Sequence, residues 1–251
     1  VSAITITGEV RLDNRDELFR SLDVDHDERK ELTDLALILA GYERWGEACA
    51  EKLLGDFAFA IHDARTGRAF GARDHLGATP FYYRASDRGL AFATRASAIA
   101  EVDGLPLDLD ERRVADACVP ELECVDLTST FYLGVYRLPP GHRMTFNAGR
   151  ASVAPYWKLD TSRELRLGSD AEYVEAFREI FTEAVRCRLV GKTASMLSGG
   201  LDSSAIVGFA RDVREREQGP ALTTLSALTD DPDCEESRHM RSVQGFPGLD
   251  P

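Results

Sequence analysis

The chain has 251 residues, 43% of them hydrophobic, and a net charge of −13, with a pI near 4.9. That length suits two domains with real cores and excludes wholesale disorder. The acidic balance argues against nucleic acid as a partner, and no apolar run approaches the ~20 residues that span a bilayer. Five cysteines (Cys49, Cys118, Cys124, Cys187, Cys234) lack C-x-x-C or Cys/His ligand spacing, which points to reduced thiols and a cytoplasmic setting. None of them sits beside an obvious base, and the five histidines are dispersed, so neither type suggests a metal site. No signal peptide is visible; residue 1 is Val rather than Met, so the natural start need not be Val1.

Residues 1–157 read as strand-rich. Alternation predicts a strand over 5–12, a short helix over 14–20, and a longer helix over 33–45 that Thr33 can cap. Leu35, Ile38, Leu39 and Tyr42 then share one helical face. Short strands follow over 56–62, 68–73, 80–84 and 90–94, with turns at Thr66-Gly67, Gly77 and Gly89. Two more, over 130–136 and 142–146, flank the Leu138-Pro139-Pro140-Gly141 turn.

Residues 158–168 are polar and read as a linker. Ser169-Asp170-Ala171-Glu172 is a capping box for a helix whose Tyr173, Phe177, Ile180, Phe181, Ala184 and Val185 form an apolar stripe, most simply a core face. An apolar run over 194–197 leads into Ser198-Gly199-Gly200-Leu201-Asp202-Ser203-Ser204 and then a helix to about Gln218. Strand, glycine turn and helix in that order make an anion site, because freed N–H groups and the positive end of the helix dipole converge. Two glycines let the backbone approach the ligand, and the serines add hydroxyls. A carboxylate there would repel a phosphate unless a cation lay between them, so Asp202 reads as a Mg²⁺ ligand. The bland alternative is a Gly-Gly turn with Asp and Ser capping a helix. After a Gly219-Pro220 break, residues 222–228 read as a second strand, which implies a doubly wound parallel sheet with ligands at the strands' carboxyl ends.

The S-G-G-L-D-S-S motif is not the P-loop, which needs G-x-x-x-x-G-K-[ST]. It resembles the pyrophosphate-binding loop of the ATP pyrophosphatases. The upstream half narrows the choice. Gly55-Asp56-Phe57-Ala58-Phe59 with Asp63, then Arg73-Asp74-His75-Leu76-Gly77-Ala78-Thr79-Pro80-Phe81-Tyr82, resembles the asparagine synthetase family, as do Leu138-Pro139-Pro140-Gly141-His142 and Tyr156-Trp157. The resemblance implies an N-terminal-nucleophile-type (αββα) glutamine amidotransferase-like domain over 1–157, joined by 158–168 to an ATP pyrophosphatase domain over 169–251. ATP and Mg²⁺ are the implied cofactors. By position, Leu197, Ser198, Gly199, Gly200, Leu201, Asp202, Ser203 and Ser204 would hold ATP and its pyrophosphate, Ala227 would meet adenine through its backbone, and Asp202 would be the metal ligand.

Two departures qualify the resemblance. Glutamine-hydrolysing members begin with a cysteine nucleophile, which is absent here, and their Asn-Gly-Glu is Thr7-Gly8-Glu9. Losing an oxyanion donor of that kind costs roughly 100- to 1000-fold in turnover. Thr33-Asp34 matches the position that holds the glutamine α-amino group, though Asp34 is equally readable as a carboxylate complementing a helix dipole. Thr7, Gly8, Glu9 and Asp34 are therefore read as a vestigial glutamine site, with glutaminase activity improbable. The family's second phosphate-proximal segment and its catalytic residues are expected downstream of Pro251. The sheet would then expose an apolar edge, and the 251 residues in isolation are expected to be inactive.

Three functions are compatible with these residues. The first is an ATP-dependent ligase that adenylates aspartate and amidates it with ammonia, from glutamine or free. The second uses the same acyl-adenylate chemistry to close a lasso peptide or a β-lactam, with a precursor peptide as partner; Thr7 and the run from Arg11 to Leu18 favour it. The third is an inactive ATP-binding scaffold. A homodimer is compatible with all three. Glu235-Glu236, after Asp230-Asp231-Pro232-Asp233, reads either as a helper for Mg²⁺ or an amine, or as a solvated acidic helix start.

Overall fold

The computed structural model describes residues 3–102, 108–122, 125–229, 231 and 234–251, with the backbone alone at 100 and 102. Val1, Cys124, Asp230, Pro232 and Asp233 lie outside the described residues. The chain divides into two compact units, Val1–Thr161 and Ser162–Pro251.

In the first unit β1 (Ile4–Leu12) leads to α1 (Arg15–Ser21) and α2 (Asp34–Trp45). Thr33 caps α2, accepting the Ala36 N–H at 3.2 Å. Then come β2 (Gly55–Asp63), β3 (Arg68–Arg73), β4 (Tyr82–Ser86), β5 (Gly89–Ala93), α3 (Ala96–Val102), α4 (Glu111–Ala117), β6 (Tyr136–Arg137), β7 (His142–Asn147) and β8 (Arg150–Pro155). They form a five-stranded sheet, β1-β2-β3-β7-β8, and a three-stranded one, β5-β4-β6. The antiparallel register of β1 on β2 pairs Ile6 with Ile61 and Val10 with Phe57. Strand period then puts Ile6, Val10, Phe57, Phe59 and Ile61 on one face, packed with Leu18 and Phe19 of α1 and Leu37 and Ile38 of α2. The opposite face offers Ala58, Ala60 and Met144 to Phe81, Tyr83 and Leu90 of the second sheet, while α3 packs against β4 and β5. This is the expected mixed α/β sandwich.

The predicted strand over 130–136 is mostly absent. Only Tyr136 and Arg137 pair with β4; the rest makes isolated bridges such as Leu109 with Tyr132. The cause is local. The Thr130 hydroxyl contacts the Val135 carbonyl at 2.8 Å and accepts the Tyr132 N–H at 3.1 Å, folding the segment on itself. Neither α4, capped by Asp110 through the Arg113 N–H at 3.2 Å, nor β8 was expected from the sequence.

The second unit contains α5 (Asp170–Arg186), β9 (Ala194–Met196), α6 (Leu201–Arg216), β10 (Leu222–Leu225), α7 (Glu235–Gln244) and β11 (Leu249–Asp250). The strands run parallel in the order β11-β10-β9. Val185, Leu197, Val207, Ala210, Leu222 and Met240 form its core. One expectation needs correction. Only the C-terminal half of the α5 stripe is a core face: Val185 is 7% exposed, whereas Phe177 and Ile180 are 61% and 71% exposed. The main partner of α5 among the described elements is α6. The strand before the glycine turn is an edge, with Met196 69% exposed; the buried residue is Leu197, one step beyond it.

Candidate functional site

Side chains cap α2, α4 and α5, through Thr33, Asp110 and Ser169. Like α1 and α7, α6 has no side-chain cap, and its N-cap is a glycine, Gly200. Its first-turn N–H groups have no acceptor within the helix and open onto the exposed surface formed by Ser198, Gly200, Leu201 and Asp202. A helix end left in that state is suited to an anion.

The turn before it is held from three sides. The Leu197 N–H donates to the Leu225 carbonyl at 2.9 Å, and the Ser226 hydroxyl donates to the Leu197 carbonyl at 2.9 Å. The carboxyl ends of β9 and β10 are thereby tied together, and exposed Ala227 follows directly. Inside the turn the Ser203 hydroxyl accepts the Ser198 N–H at 3.2 Å and lies 2.8 Å from the Ser198 hydroxyl. Ser204 continues the helix, its N–H donating to the Gly200 carbonyl at 3.1 Å. Gly199 has φ +79° and rests against α7: a Cβ there would lie 2.8 Å from the Glu236 carbonyl oxygen. An L side chain is excluded both by that dihedral angle and by that contact.

Asp202 stands exposed in the first turn of α6. No group of three or more His, Cys, Asp or Glu side chains gathers around a common point among the described residues. Asp202 is a single carboxylate beside the hydroxyls of the turn, an oxygen donor of the type Mg²⁺ takes when phosphate and water complete its shell. Glu235 and Glu236 occupy the exposed first turn of α7. The nine expected nucleotide residues, 197–204 and 227, thus converge at one end of the parallel sheet. The sequence reading missed Ser226 and the backing by α7, because neither carries a local signal.

The glutamine positions are not gathered in the same way. Thr7, Gly8 and Glu9 lie mid-strand in β1, opposite Ala60, Phe59 and Ala58, with the Thr7 and Glu9 side chains exposed. Asp34 begins α2 and is engaged within the domain: one oxygen accepts the Leu12 N–H at 2.9 Å and the other pairs with Arg15. Arg15 also donates to the Leu32 carbonyl at 2.7 Å. Thr7 and Leu12 are roughly 17 Å apart by strand rise, and their side chains leave opposite faces of the sheet. Asp34 thus joins β1 to α2 through Leu12 and Arg15.

The Arg73-Asp74 and Leu138–Gly141 motifs form one structural knot. Asp74, 1% exposed, accepts backbone N–H groups from Phe57 (3.3 Å), Leu76 (3.2 Å), Ala78 (2.8 Å) and Thr79 (2.9 Å). Arg73 donates to the carbonyls of Thr79 (2.7 Å), Leu138 (2.8 Å) and Gly77 (2.6 Å). Gly77, at φ +72°, leaves room for Pro140, which a Cβ would approach to 2.8 Å. The Tyr156 hydroxyl closes on the Arg73 carbonyl at 2.8 Å. His75 sits edge-on to Phe57, Tyr156 and Trp157, and burial lowers its pKa, favouring the neutral ring.

Residues 2–157 match the glutamine amidotransferase domain family, and residues 176–250 match the asparagine synthase family. The glutamine-hydrolysing asparagine synthetase 3 of Bacillus subtilis is 29% identical over 224 residues, covering 88% of this chain and 36% of that protein. Amidase chry2 of Gibberella zeae is 33% identical over 203 residues, covering 78% of this chain and 29% of its own length. The chain thus spans about a third of the curated relatives it matches. A glutamine phosphoribosylpyrophosphate amidotransferase from B. subtilis, solved with ADP and GMP, aligns over 92% of this chain and 46% of that one. Its 15% identity and TM-score of 0.39 are too distant to carry an argument.

Proposed function

This chain belongs to the asparagine synthetase family, and from that premise we propose that the whole protein is an ATP-dependent amide-forming ligase. A carboxylate oxygen attacks the α-phosphorus of ATP, the bond between the α- and β-phosphates breaks, and pyrophosphate departs. An amine then attacks the acyl carbon of the adenylate, expelling AMP and losing a proton. A free carboxylate resists that attack because oxide is a poor leaving group; AMP is a good one. The observation that carries the reading is the uncapped, open N-terminus of α6 behind a turn shaped by Gly199. The N–H groups there and the hydroxyls of Ser198 and Ser203 face the anion, with Asp202 beside them to hold Mg²⁺, whose charge offsets that of the phosphates. The backbone near Ala227, tied to Leu197 through Ser226, is the natural adenine seat.

The first choice of substrate is aspartate, with ammonia as the amine. The engagement of Asp34 by Leu12 and Arg15 favours an amine that does not come from glutamine bound in this domain. That also supports the second reading, ring closure in a precursor peptide by its own amine. Among the described residues no helix is long and apolar enough to cross a membrane. The reading separately assigns a cytoplasmic setting and is compatible with a homodimer. The test is pyrophosphate release from Mg·ATP by the full-length protein, with aspartate and ammonium in one arm and a candidate precursor peptide in the other. Release with aspartate supports the first reading and release only with peptide the second. Nucleotide binding without turnover in either arm would leave a scaffold, and no ATP binding would refute the site.

A further inference from the structure

The phosphate turn is backed by a helix that carries a candidate contact for the nucleotide. A Cβ on Gly199 would lie 2.8 Å from the Glu236 carbonyl oxygen, 3.0 Å from the Met240 nitrogen and 3.1 Å from the His239 Cβ. Residues 236, 239 and 240 share one face of α7 by helical spacing. That face is anchored: Met240 is buried in the core, and fully buried Ser237 accepts the Thr229 N–H at 3.1 Å. His239 is exposed, and its Cβ lies beside the turn.

The turn itself supplies only dipoles and hydroxyls, and Asp202 is an acid. Pyrophosphate gathers negative charge as its bond to the α-phosphate breaks, so a further donor on that side would favour its departure. The neighbouring cations of α7 are engaged elsewhere. Arg238 reaches Glu235 at 3.5 Å, and Arg241 donates to the Thr229 carbonyl at 3.2 Å. Resting on the nucleotide reading above, we propose that His239 donates a hydrogen bond to the pyrophosphate end of ATP. It thereby makes α7, as well as α6, a wall of the leaving-group site.

Isothermal titration of the protein with Mg·pyrophosphate and with AMP, for wild type, His239→Ala and His239→Gln, tests this directly. Pyrophosphate binding should weaken by about fivefold or more in His239→Ala and by less in His239→Gln, which keeps a neutral donor. AMP affinity should be unchanged. The His239 ring resonances of the wild type should move on adding pyrophosphate. Equal pyrophosphate affinity in wild type and His239→Ala removes this proposal alone; a wild type that binds no pyrophosphate removes the nucleotide reading with it.

Discussion

Gly199→Ala and Gly200→Ala differ by one position and should differ greatly in effect. At Gly199 the φ of +79° costs a residue with a Cβ about 1–3 kcal/mol. The new methyl would also lie 2.8 Å from the Glu236 carbonyl oxygen and 3.0 Å from the Met240 nitrogen. Both are backbone atoms of α7 and cannot turn aside, so the helix must shift and Met240 must loosen from the core, for roughly 1 kcal/mol more. A total of about 2–4 kcal/mol, in a unit of roughly 90 residues, lowers its melting midpoint by the order of 10 °C. At Gly200 the φ of −72° suits any residue, and the nearest atom to a Cβ is the Ser198 hydroxyl at 3.5 Å. Alanine there should cost less than about 1 kcal/mol. Differential scanning calorimetry of the two variants, paired with titration of Mg·ATP, reads both effects. If Gly199→Ala melts and binds like the wild type, or the two variants fall together, then α7 does not shape the turn.

Asp202→Asn should keep the fold, losing at most about 1 kcal/mol of helix-dipole stabilisation, while Mg²⁺ no longer strengthens ATP binding; titration with and without Mg²⁺ checks it. Asp74→Ala strands four N–H groups, two of them buried, and should destabilise the first unit by about 3–5 kcal/mol in urea unfolding. Asp34→Ala should likewise lower stability, by about 1–3 kcal/mol, to the same extent with and without glutamine. Burial pushes the Cys49 thiol from an ordinary 9.0 up to about 12. The unfolded chain therefore gives up this proton first, and the associated stability, intact below pH 9, is lost as pH rises towards 12. Thiol labelling of the native protein at pH 8.5, read by mass spectrometry, should mark exposed Cys118 and spare Cys49.

Local chemistry made much of this legible. Thr33 and Ser169 announce helix starts, and the phosphate turn is written in seven consecutive residues. The predicted strand over 68–73 and β3 coincide. Long-range effects were hidden. Nothing near Thr130 says that its hydroxyl will fold back a would-be strand, and Phe177 and Ile180 look like core in the sequence although both are exposed. The Glu172 side chain shows a finer version of the same limit. It accepts from the Gly168 N–H at 3.0 Å rather than from the N-cap amide, a choice made by the approach of the preceding chain. The bonds of Asp34 to the Leu12 N–H and to Arg15 are long-range too, and nothing around residue 34 in the sequence announces them.

The interlock of Arg73, Asp74, Gly77 and Pro140 carries a lesson for recognising relatives of this protein. Its signature letters answer to architecture, since each is fastened to backbone rather than pointed at a reactant. A search keyed to them will gather proteins that keep the sandwich whether or not they cleave glutamine.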